Sequence, residues 1–266
     1  MAFALASESG DSAAQISRVQ AGLTLGIILG PLNGALMDHL GHWRLAFVAL
    51  ALLAALLALP LRRAGGKVPG LVAEAPGGGN GLWSALPGFL GMGLGGAIGI
   101  FALLGERFRD LFMLDTLGIS VIYAGFGAMT ILGNLLMPVL ARRAGPLAVA
   151  GACLLAVLAG ILLLFGLEAA PIGPAALALA SWAIFGGAAA PALQAALAGA
   201  GGANRGLMLA LGASFLNAGT AASSALASEL HLLAPHWVAS QAAALIAPAA
   251  LVLLWAARRG PVARAG

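Results

Sequence analysis

Few side chains in this sequence are placed to act together chemically. Glu106, Arg107, Arg109 and Asp110 put four charges into five residues. On a helix, Glu106 and Asp110 share a face at i,i+4, and Arg107 reaches Asp110 at i,i+3. The expectation is a helix that ends near Leu104, with the cluster in a solvated loop. The alternative is a helix that continues to about Leu114 and carries the cluster with it. The uncharged polar residues inside apolar stretches are Asn33, Asn134, Gln194, Asn217, Thr130, Ser181 and Ser214. Amides are costly against lipid, so Asn134, Gln194 and Asn217 are the best candidates to line a cavity and bind a substrate. Tyr123, the single tyrosine, joins them. The histidines (His39, His42, His231 and His236) fall on expected loops and suggest no metal site. Cys153, the single cysteine, reads as a small buried apolar residue. The sequence holds no HExxH, paired carboxylates or Ser/Lys dyad suited to catalysis. The expectation is a protein that is not an enzyme and needs no cofactor.

The rest of the chain explains why chemistry is so sparse. Of 266 residues, 61% are hydrophobic and 8% charged, and the mean hydropathy is +1.02. A soluble domain carries about 25% charged residues. These proportions exclude a soluble enzyme, a disordered chain and a nucleic-acid binder. The net charge of +4 comes from 13 Lys+Arg against 9 Asp+Glu, and the basic residues are not clustered. The class is an all-α polytopic membrane protein with the lipid bilayer as its main partner.

A membrane helix needs about 20 apolar residues. Eight stretches qualify, at about 19–37, 45–61, 84–104, 119–140, 146–167, 173–198, 207–227 and 237–257. With both termini in the cytoplasm, ten of the thirteen basic residues fall on the cytoplasmic side, and Arg44, Arg107 and Arg109 fall outside. That bias sets the orientation. Trp43, Trp83, Trp237 and Trp255 lie near expected helix ends, but Trp182 lies inside the sixth span. The Gly/Pro-rich segment 62–82 reads as a cytoplasmic linker between a two-helix piece, 1–61, and a six-helix bundle, 83–260. Twelve Arg to one Lys, with abundant Ala and Gly, suggests a GC-rich bacterial genome, and hence the plasma (inner) membrane.

Gly26, Gly30 and Gly34, four residues apart with Pro31 between them, form a small-residue seam on one helix face. Leu40-Gly41-His42-Trp43-Arg44-Leu45-Ala46-Phe47 follows. Together these resemble the major facilitator superfamily, whose fifth helix often reads GxxxGPxxGG and is followed by G-W-R-x-A-F. Ala35 stands for the last glycine, and His42 is inserted between Gly41 and Trp43. Leu117-Gly118-Ile119-Ser120 and Ala124-Gly125 resemble the start of that family's eighth helix. Gly133 through Leu140-Ala141-Arg142-Arg143-Ala144-Gly145 is similar to its cytoplasmic loop motif, with Arg142 where an acid is usual. Asn204-Arg205-Gly206 echoes Ser17-Arg18 one bundle earlier.

The resemblance implies a partial major-facilitator fold, equivalent to helices five to twelve and lacking the first four. It implies a secondary active transporter working by alternating access, exporting a small organic molecule by proton antiport. Gly26, Gly30, Pro31 and Gly34 would then pack against the other bundle. Glu106, Arg107 and Asp110 would lie at the outer end of a gating helix. An importer of a neutral metabolite is one alternative. A transport-inactive membrane fragment, open to self-association of the truncated bundle, is another, because alternating access needs two comparable bundles. The charge split predicts that a reporter fused at Gly78 is cytoplasmic and one fused within 229–236 is external. Finding both on the same side overturns the eight-span topology.

Overall fold

The computed structural model describes residues 12–42, 44–63, 81–167, 171–201 and 204–259, and every element among them is helical. In chain order these are α1 (Ser12–His39), α2 (Leu45–Arg63), α3 (Gly81–Phe101), α4 (Leu104–Phe112) and α5 (Thr116–Ala144). They are followed by α6 (Pro146–Gly166), α7 (Ile172–Gly201), α8 (Arg205–Leu233) and α9 (Pro235–Arg259). By length and composition, α5 to α9 are five helices able to cross a membrane, and α2 and α3 contribute shorter apolar stretches. The chain is an all-α polytopic membrane protein. The eight expected stretches all fall on helices, but most of the expected linker lies outside the described residues.

Local chemistry explains where the helices stop. Asp115 caps α5, its Oδ1 accepting from the Gly118 N–H at 2.8 Å. Between α5 and α6 the backbone turns at Gly145, whose φ of +80° suits a residue without Cβ. Pro146 then starts α6 at the position where a missing N–H costs nothing. The segment around 229–236 is not an open loop, because α8 runs to Leu233 and α9 begins at Pro235.

Apart from α2, which meets chiefly α1, the helices pack as one bundle. α3 lies along α8; α6 lies between α7 and α9; α5 packs on α7; and α1 lies over α5. Phe165, Ile161 and Leu164 of α6, Leu197 of α7 and Ile246 of α9 are fully enclosed. Outward faces are apolar: Leu117, Val121, Leu132 and Leu135 of α5 are exposed, as are Phe47, Leu52 and Leu56 of α2. In water that pattern would be a liability, whereas against lipid it is neutral.

The closest helix contacts are made at glycines, though not those of the expected seam. A Cβ added to Gly91 would lie 2.6 Å from the Leu216 backbone N, and one on Gly99 2.7 Å from the Thr220 carbonyl oxygen. Gly95, between them, meets the Leu216 carbonyl. This GxxxGxxxG stripe lets α3 lie directly on the α8 backbone. α5 and α7 cross reciprocally, Gly133 on the Ile184 carbonyl and Gly187 on the Thr130 carbonyl. By contrast, a Cβ on Gly26, Gly30 or Gly34 would meet nothing within 4 Å among the described residues. Among the described residues, the expected packing of these three glycines is not found. α1 meets its neighbours through another face, where Ile16, Ser17 and Thr24 are buried. Gly22, which starts the open stripe, is two residues beyond Gln20 and so about 200° around the helix.

This packing generates a contrast. Gly133→Leu drives a side chain into the α7 backbone, and overpacking costs about 1–3 kcal/mol or more. The apparent melting temperature in detergent should fall by several degrees. Gly30→Leu should leave it within about 2 °C, since a domain this size shifts about 2–4 °C per kcal/mol. Equal losses for the two variants overturn this assignment of the seams.

Candidate functional site: an aromatic cavity among the helices

One face of α5 carries Tyr123, Gly127, Thr130 and Asn134 at three- and four-residue spacings. All four border a cavity of about 330 Å³. α7 contributes Trp182 and Gly186, α3 contributes Phe101 and Ala97, and α1 closes the side with Gln20 and Thr24. The α3/α4 break lies just beyond Phe101, the last wall residue of α3. Beyond Phe101 the backbone tightens into i→i+3 bonds, Ala102 N–H to Gly99 O at 3.3 Å and Leu103 N–H to Ile100 O at 2.9 Å. The helix then resumes as α4. Discontinuous helices of this kind border substrate sites in transporters.

Four rings line the cavity. The Phe101 and Tyr123 centroids lie 5.2 Å apart at 82°, and those of Phe101 and Phe126 4.6 Å apart at 39°. Trp182 stands edge-on to Phe126 at 5.8 Å and 89°, and to Phe101 at 6.3 Å. Offset and edge-to-face pairs of this geometry are favourable beyond their buried area. The Tyr123 hydroxyl accepts the Gly105 N–H at 3.1 Å, tying the ring cluster to the first turn of α4.

Asn134, completely buried, lies further along α5. Its Nδ2 donates to Thr24 Oγ1 at 3.0 Å, and Thr24 Oγ1 donates to the Gln20 carbonyl at 3.0 Å. The Asn134 Oδ1 is enclosed and has no partner among the described residues. Thr130 Oγ1 is satisfied within its own helix by the Phe126 carbonyl at 2.8 Å. Among the described residues that border the cavity, none is charged.

Of the four expected substrate-binding residues, the structure brings Tyr123 and Asn134 together in this cavity. Gln194 is buried elsewhere on α7, with its Oε1 unpartnered. Asn217 is exposed, and its Nδ2 donates to the Ala213 carbonyl of its own helix at 3.0 Å. Sequence reasoning missed Phe101 and Phe126 entirely. Trp182 did leave a signal, as the one tryptophan that does not fit a helix-end belt. A second polar contact was also missed. Ser223 Oγ donates to the Gly96 carbonyl at 2.8 Å, and Gln241 Nε2 donates to Ser223 O and Oγ at 2.9 and 2.8 Å, joining α3, α8 and α9.

The charge cluster is not a solvated loop, since Glu106 to Asp110 lie within α4. Nor does Arg107 pair with Asp110 by a direct bond. Arg107 is buried, and its Nε donates to the Leu164 carbonyl at 2.8 Å and its Nη2 to the Leu167 carbonyl. These are orphan acceptors at the C-terminus of α6, where the helix dipole also favours a cation. Burial lowers the Arg107 pKa from its ordinary value, and the Asp110 charge acts in the other direction. Glu106 pairs instead with Arg109 at 2.7 Å in an exposed bridge, and Asp110 lies 3.1 Å from His231 Nε2 on α8. Arg107 thus caps a neighbouring helix. Arg142 and Arg143 are exposed on the last turn of α5, where their charge complements that helix end.

No protein-family model matches this sequence, and no curated protein matches it. Arg107→Met leaves two carbonyls without their charged donor and should lower stability by about 1.5–3 kcal/mol. Glu106→Gln breaks only an exposed bridge and should cost less than about 1 kcal/mol. Thermal unfolding in detergent measures both, and equal effects overturn the capping role of Arg107.

Proposed function

We propose that this chain is a secondary transporter of the major facilitator type, and that the aromatic cavity is its substrate site. The observation that carries this reading is a chamber walled by five helices, lined by aromatic rings and bordered by the uncharged polar residues Gln20, Thr24, Thr130 and Asn134. Small-molecule sites combine apolar walls with a few placed polar groups in this way. The broken helix beside the chamber supports the same reading, as does the resemblance of α1 and the turn after it to the family's fifth-helix motif. Export by proton antiport follows from that resemblance. The charge split supports both termini in the cytoplasm, and twelve Arg to one Lys with abundant Ala and Gly supports a bacterial plasma membrane. The lack of charge among the described cavity residues also suits an importer of a neutral metabolite, which would use the same chamber.

The test uses the purified chain in liposomes with an imposed proton gradient, screened against aromatic dyes and neutral metabolites. At least one compound should move with the gradient, stop when the gradient is collapsed, and move at least about tenfold more slowly with Trp182→Ala. Folded protein that moves none of them favours the transport-inactive reading.

A further inference from the structure

Taking the cavity as a substrate site, we propose that its guest is an uncharged, hydrocarbon-like molecule, an aromatic ring carrying an apolar extension, and that hydrogen-bonding groups on the guest weaken its binding.

The wall turns its polarity inward. Thr130 Oγ1 donates to the Phe126 carbonyl at 2.8 Å. Thr24 Oγ1 donates to the Gln20 carbonyl at 3.0 Å and accepts from Asn134 Nδ2 at 3.0 Å. Asn134 itself is fully enclosed, and the Tyr123 hydroxyl accepts the Gly105 N–H. Nearly all of the surface that a guest would touch is carbon. A hydroxyl brought into such a space loses water without gaining a partner, and an ion loses far more. Among the described residues that border the cavity, none offers a counter-charge.

Size and lining give the shape. An apolar cavity of about 150 Å³ stays dry and takes benzene. This one is about 330 Å³, room for a ring and an extension of similar bulk. On α3 the lining runs from Phe101 back to Leu94, and on α7 from Trp182 on to Ala190. At 1.5 Å per residue each run is about 10–12 Å long. The two runs start together, because Phe101 and Trp182 meet edge-on with centroids 6.3 Å apart. They also end together, because Leu94, Ala189 and Leu193 line one small void. The chamber is therefore graded. Phe101, Phe126 and Trp182 offer faces and edges to an aromatic ring at one end. Leu94 and Ala190 offer only aliphatic contact at the other, which an alkyl or alicyclic group fills by dispersion.

The experiment measures saturable binding to the full chain in phosphatidylcholine nanodiscs, with protein-free nanodiscs as the blank, so it does not depend on transport. The probes share one shape: cyclohexylbenzene, bicyclohexyl, 4-cyclohexylphenol, 4-cyclohexylbenzoate and 4-cyclohexylphenyl-trimethylammonium. Cyclohexylbenzene should bind one per chain. Bicyclohexyl lacks the aromatic ring and should bind about two- to tenfold more weakly, the range for one ring-on-ring contact. The phenol should bind at least about fivefold more weakly than cyclohexylbenzene, the lower end of the cost of an unpaired hydroxyl. Both charged probes should bind more weakly still. Trp182→Leu should narrow the gap between cyclohexylbenzene and bicyclohexyl, whereas Thr130→Val removes a hydroxyl already used within its helix and should change binding less than about twofold. A Cβ on Gly186 would stand 3.7 Å from Val157 and 3.8 Å from Trp182, ordinary contact distances. Gly186→Leu can therefore be seated, and by filling the chamber it should abolish binding.

Binding of the phenol as tight as that of cyclohexylbenzene by the unaltered chain overturns the proposal, whether or not any variant folds. Equal binding of bicyclohexyl overturns the aromatic end, and tighter binding of the trimethylammonium probe overturns the whole in favour of cation recognition by the rings. Unchanged binding by folded Gly186→Leu places the guest outside this cavity and overturns it as well. Cyclohexylbenzene binding without gradient-driven flux of any compound upholds the ligand class and counts against the transport reading. Flux of a charged cargo without cyclohexylbenzene binding does the reverse.

Discussion

Helices surrounded by lipid gain nothing hydrophobic by meeting each other, so this bundle depends on how closely their backbones approach. The approach is made at Gly91, Gly95 and Gly99 of α3, and at the reciprocal pair Gly133 and Gly187. At these points backbone atoms of the neighbouring helix occupy the space where a Cβ would stand. Interhelical hydrogen bonds in membrane proteins average only about 0.6 kcal/mol. The Ser223–Gln241–Gly96 contacts therefore orient α3, α8 and α9 more than they hold them together. Dispersion along the glycine contacts contributes more to cohesion than these bonds do.

The same constraint makes the cavity. Gly133 and Gly187 bring α5 and α7 into contact beside Thr130. Next to that crossing Phe126 and Trp182 meet edge-on at 5.8 Å, and Phe101 from the end of α3 packs against both. A close crossing beside large rings leaves a chamber. α1 completes its wall through the Thr24–Asn134 bond, which fastens α1 to α5.

Electrostatics operate at the edge of the bundle. Arg107 satisfies the carbonyls that end α6, and so ties the short α4 to the most enclosed part of the core. Its neighbours, Glu106 and Asp110, turn outward to Arg109 and His231. Four adjacent charges thus divide into one buried cap and two solvent-side pairs. No charged residue is left among the described lining of the cavity.

Much of the architecture was legible in the sequence because hydropathy is a local property. Apolar stretches marked the helices, and the low charge required a membrane. Tyr123 and Asn134 were legible as site candidates because an amide or phenol inside a span needs a protein partner wherever it goes. What remained hidden depended on rotation and neighbours. A GxxxG stripe permits close packing but does not say which helix will fill it, so α1 looked like the seam while α3 carries it. Arg107 and Asp110 stand one turn apart, yet the arginine found better acceptors 57 residues away at Leu164. Phe101, Phe126 and Trp182 come from three different helices, and no local pattern marks them as one site. Composition and periodicity determined that the chain forms apolar helices. Only tertiary structure decided which faces meet, because that depends on side-chain shapes brought together across the bundle.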